Sequence, residues 1–72
     1  MNERFELQEV EREDRCAVYD KETGITCLWK KGNFNNTQEF VGTVKAGTTA
    51  QELARAMREL GDWLVENHRD LV

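Results

Sequence analysis

Residues 50–72 separate their side chains by polarity more completely than any other part of this chain. Set out at about 100° per residue, the angular step of an α-helix, Ala50, Leu53, Ala54, Ala56, Met57, Leu60, Gly61, Trp63, Leu64, Val65, Leu71 and Val72 fall on one continuous arc, joined by His68. Glu52, Arg55, Arg58, Glu59, Asp62, Glu66, Arg69 and Asp70 take the opposite arc. The segment reads as one amphipathic helix whose apolar face must be covered, either by the residues before it or by another molecule. Thr49 and Glu52 have the Thr-x-x-Glu spacing of a capping box, which places the helix start.

The preceding residues read as sheet. Residues 15–20 and 25–30 are rich in β-branched and aromatic side chains, and Lys21-Glu22-Thr23-Gly24 between them supplies a glycine for the turn. With Asp20 opposite Ile25, Val18 faces Cys27 and Cys16 faces Trp29, which makes one nearly apolar side to receive the helix. Arg15, Ala17, Tyr19, Thr26, Leu28 and Lys30 make a mixed outer side. Phe5 and Leu7 alternate with polar neighbours, so residues 4–10 read as a first strand, bulged or ended early at Val10. Residues 11–14 are all charged and read as an exposed connection, and residues 31–37 as a turn-rich loop holding Phe34. Residues 38–44 carry Phe40 and Val44 in phase and read as a short fourth strand or an extended crossing. The expected fold is therefore α+β: a single ββ(β)βα domain over 1–72. An antiparallel sheet of three or four short strands, a β-meander, packs against one C-terminal amphipathic helix.

Composition narrows the functional classes. The net charge is −4, and it is uneven: residues 1–14 carry −4, residues 15–48 carry +2 and residues 49–72 carry −2. An acidic total disfavours a protein built on phosphate contacts. No apolar run approaches the ~20 residues of a membrane span, and Met1-Asn2-Glu3-Arg4 lacks the basic start of a signal peptide. A cytoplasmic protein without membrane contact is expected, in which the sequon Asn35-Asn36-Thr37 carries no sugar.

Chemical sites are sparse. Cys16 and Cys27 would lie diagonally on one sheet face, roughly 7–8 Å apart and beyond usual disulfide reach, so two reduced, buried thiols are expected. Neither belongs to a CxxC pair and His68 stands alone, so no metal, cofactor or catalytic group is assigned. Glu59, Asp62 and Glu66 share a helix stripe, with Arg55 four residues before Glu59 and Arg58 four before Asp62, the spacing of a solvated salt-bridge ladder.

Two surfaces remain. The apolar arc spans about half the helix circumference, more than the ~100° one sheet face requires, and Ala50, Ala54, Gly61 and Val65 lie along one edge of it. A glycine costs a helix interior about 1 kcal/mol relative to alanine, a cost that close approach of a second backbone would offset. This points to a small non-catalytic protein-interaction module, self-associating as a homodimer. The second surface is Arg15, Tyr19, Leu28 and Lys30 with Lys31 adjoining. An aromatic flanked by basic groups on an open sheet face suits nucleic acid. The strand–helix order is shared with several DNA-binding modules, but architecture alone assigns no function.

Overall fold

The structure, a computed structural model, describes residues 4–8 and 14–72. Strands β1 (Phe5–Gln8), β2 (Arg15–Asp20), β3 (Thr26–Lys30) and β4 (Glu39–Val41) form one antiparallel sheet in the order β1-β2-β3-β4. A short helix α1 (Phe34–Thr37) lies between β3 and β4, and the long helix α2 (Ala50–Asn67) follows. The fold is the expected α+β meander with a C-terminal helix. The bulge expected near Val10 and most of the expected connection over 11–14 fall outside the described residues.

The central hairpin has the register its sequence dictates: Cys16 pairs with Trp29, Val18 with Cys27, and the Asp20 amide donates to the Ile25 carbonyl at 2.8 Å. Fixing that register puts Cys16, Val18, Cys27 and Trp29 on the helix side. There they form the core with Phe5, Leu60 and Leu64, and Ala56 is buried as well. Trp29 is the largest fully buried side chain, and its indole N–H donates to the Leu71 carbonyl at 2.8 Å, so the polar edge of the ring is satisfied.

Three expectations need correction. The C-terminal helix does not run to residue 72. It ends at Asn67, His68 leaves helical geometry at φ −139° and ψ 48°, and Arg69–Leu71 form a 3-10 turn. The turn brings the Leu71 carbonyl to the Trp29 indole and to the Gly32 amide, at 2.8 and 3.0 Å, two bonds a straight helix would forgo. Leu71 and Val72 still reach the core, but from the turn. Residues 31–37 are not all loop. Phe34–Thr37 make one helical turn, in which the Thr37 hydroxyl donates to the Asn33 carbonyl at 2.7 Å and accepts from the Lys30 amide at 2.8 Å. Phe34 sets its ring edge-on to Trp29 at 5.4 Å, which explains an aromatic in so polar a stretch. The fourth strand keeps only Glu39–Val41, with Phe40 opposite Cys27, and Val44 lies beyond it, exposed.

Backbone crossing secures the far end of the sheet. The Lys45 amide donates to the Thr23 carbonyl at 2.8 Å, laying the β4–α2 connection against the β2–β3 turn. Gly24 sits at the crossing with φ +86°, where an added Cβ would stand 2.7 Å from the Thr43 carbonyl oxygen. Only glycine meets both conditions there. The capping box at Thr49 and Glu52 is complete, each side chain bonded to the other's backbone N–H at 3.1 Å. Those bonds to Thr49 hold the Glu52 carboxyl below its ordinary pKa.

Candidate functional site

The helix edge and the groove beside it are the first candidate. The sheet covers α2 along Ala56, Leu60 and Leu64, which are fully buried. Ala50, Ala54 and Val65 are exposed, Val65 by 43%, and Gly61 is half-buried. No backbone of the chain approaches Gly61 among the described residues. The nearest atom to a Cβ built there is Cε2 of the Phe34 ring, at an ordinary 3.9 Å. An open groove of about 510 Å³ runs between α1 and α2, lined by Phe34, Gly61, Val65 and Val72 among others, with Asn35, Asn36 and Asp62. The structure thus brings Gly61 and Val65 to one groove, and the spacing of Ala54 and Ala50 places them about two and three turns before Gly61 on the same helix edge.

The outer sheet face is the second. Arg15 and Lys30 are direct cross-strand partners, Leu28 pairs with Ala17, and Tyr19 pairs with Thr26. The face therefore carries Arg15, Tyr19, Leu28 and Lys30 together. Lys31 follows β3 in an exposed turn; burial raises the Cys16 thiol pKa, and the Lys31 charge partly counters that rise. Carboxylates also enter the face, Glu6 opposite Tyr19 and Glu39 opposite Leu28.

A buried ionic cluster was not foreseen. Asp20 lies on the helix side of β2, fully buried. Arg4 donates to it through Nε at 2.8 Å and Nη2 at 3.0 Å, Thr23 through its hydroxyl at 2.8 Å, and Glu22 through its amide at 2.9 Å. Burial alone would raise the carboxyl's pKa, but the bonds from Arg4, Thr23 and the Glu22 amide outweigh it and the value falls below the ordinary range. Arg4 also bonds Glu59 of α2 at 2.8 Å and lies 3.3 Å from Glu22. Its guanidinium stands 4.8 Å from the centre of the Phe5 ring. The hydrogen bond to Asp20 raises the Arg4 pKa. This arrangement corrects the expected ladder on α2: Glu59 turns to Arg4, and neither the Arg55–Glu59 nor the Arg58–Asp62 pair closes within 4.0 Å among the described residues. The only sequence sign was the parity that puts Asp20 on the apolar side of its strand.

Cys16 and Cys27 are free and buried, and burial pushes the Cys27 thiol up to about 11. The His68 ring packs against Trp63, centres 4.9 Å apart and planes tilted by 57°. Among the described residues, no three His, Cys, Asp or Glu side chains group to hold a metal, and no helix is long and apolar enough to cross a membrane. Comparison with protein-family models, with curated proteins and with solved structures finds no match to this chain.

Proposed function

We propose that this chain is a small, non-catalytic, cytoplasmic protein-interaction module that self-associates through the edge of α2 formed by Ala50, Ala54, Gly61 and Val65. The observation that carries the reading is the open groove at Gly61 and Val65, a mixed polar and apolar surface that the chain's own sheet leaves uncovered. Small side chains along the edge let a second backbone come close, and Val65 supplies the apolar anchor. A second reading, nucleic-acid binding on the outer sheet face, draws support from the direct pairing of Arg15 with Lys30 beside Tyr19 and Leu28. The carboxylates of Glu6 and Glu39 on that face and the net charge of −4 weigh against it.

Size-exclusion chromatography with light scattering, run with and without a random-sequence duplex at low salt, separates the two. The first reading expects twice the chain mass of 8.4 kDa, unchanged by duplex. A monomer that shifts to a larger, salt-sensitive species with duplex would favour the second.

A further inference from the structure

We propose that self-association pairs two α2 helices antiparallel about a twofold axis, the basic first half of each lying along the acidic second half of the other. The inference rests on the reading of the α2 edge as the contact surface, and adds the direction, the register and the charges that select a second copy. Its starting point is charge that the chain itself leaves uncompensated. In the first half of α2, Glu52 is held in the capping box, which leaves Arg55 and Arg58 as exposed charges. In the second half Arg4 takes Glu59, which leaves Asp62 and Glu66. None of Arg55, Arg58, Asp62 and Glu66 closes an ion pair within 4.0 Å among the described residues. Basic groups toward the start of a helix and acidic groups toward its end oppose the macrodipole, Asp62 and Glu66 repel each other at a spacing of one turn, and the last turn holds no base to offset them. A parallel pair would set like halves together and worsen the conflict. An antiparallel pair sets basic halves on acidic halves and opposes the two macrodipoles, so a surface at odds with itself in one chain is satisfied by a copy of itself.

The small residues point to the same arrangement by a separate route. With the axis between Met57 and Arg58, one antiparallel register seats Gly61 on Ala54 of the other copy and, in the same step, Val65 on Ala50. The start of the other copy's helix, narrow because Ala50 and Ala54 face inward, then enters the groove between α1 and α2. Asp62 is the only charged residue lining that groove. In this register Asp62 lies beside Arg55 of the other copy, and Arg58 lies toward the centre, between the two Asp62 carboxylates. The positive end of the entering helix also points toward Asp62 and Glu66.

Charge reversal in the full chain tests it by sedimentation equilibrium, with circular dichroism as the check on folding. R55E/R58E makes both halves acidic and D62K/E66K makes both basic, so each should dimerise at least about tenfold more weakly than the native chain. R55E/R58E/D62K/E66K exchanges the two halves and should restore the native affinity, because an antiparallel pair again sets unlike charges together. A parallel pair gains nothing from that exchange. The native dimer should also weaken as salt rises. A native dimer indifferent to salt, double variants that dimerise as well as the native chain, or a fourfold variant no tighter than the double ones would overturn the proposal while leaving self-association at the helix edge in place. A native chain that stays monomeric overturns both. If a double variant fails to fold, the salt dependence of the native chain and the affinity of the fourfold variant decide.

Discussion

At the scale of single residues, Asp20 and Arg4 carry the largest stake. A carboxylate with no solvent exposure is tolerable because four donors meet it, and Arg4 supplies two. Removing one partner of such a pair costs about 3–5 kcal/mol, since the other charge stays buried and uncompensated. Arg4→Met should therefore cost that much, read by urea unfolding. Asp20 also sets an acid limit. Its folded pKa lies below its unfolded value near 3.9, so its contribution is fully present above that value and lost as pH falls through the folded one. Stability measured from pH 6 to pH 2 should drop across that window, and the drop should shrink in Asp20→Asn. The two glycines differ in sign. Gly24→Ala puts a Cβ 2.7 Å from a carbonyl at φ +86° and should lose at least about 1 kcal/mol. Gly61→Ala meets only the Phe34 ring at 3.9 Å, so the isolated chain should gain about 1 kcal/mol of helix propensity, seen as a higher melting temperature in dilute solution. None of the Asp20 cluster was legible as a cluster. Asp20 and Arg4 are 16 residues apart, one at the end of β2 and the other just before β1, and no local pattern records so distant a pair.

Individual elements were legible in proportion to how many of their residues answer to one period. Helix α2 repeats its pattern over five turns and closes a capping box, so its start was plain. Thr49→Ala should cost about 0.5–2 kcal/mol, checked by thermal unfolding. Its end was not plain, because Leu71 and Val72 remain apolar and buried through a turn that serves Trp29. The β2–β3 register could be derived because the four-residue turn sets Asp20 opposite Ile25, and the period of two then puts Cys16, Val18, Cys27 and Trp29 on one side. That register also shields the thiols. Cys16 and Cys27 should react slowly with a thiol reagent in native buffer and reach two equivalents once unfolded, and immediate reaction of both would contradict the packing of β2 and β3 under α2. Helix α1 is four residues, too short to show a period, and Phe34 was its one clue.

For the molecule as a whole, size sets the terms. A domain of 72 residues buries only roughly 60% of the surface its unfolded chain exposes, so a second copy covering the helix edge would add to a narrow margin. Of the candidate surface, Gly61 and Val65 meet at one groove, and Ala50 and Ala54 continue its edge toward the helix start. The sequence marks that edge as surplus to one sheet face but says nothing of Phe34, whose ring borders the groove beside Gly61. Sedimentation equilibrium on the native chain and on Ala54→Glu/Val65→Glu tests the central claim most directly, because both positions are exposed and the charges leave the core untouched. The account predicts a dimer for the native chain and a folded monomer of 8.4 kDa for the variant, with unchanged helix content by circular dichroism. A native chain that remains monomeric up to millimolar concentration, or a variant that dimerises as well as the native chain, would contradict it.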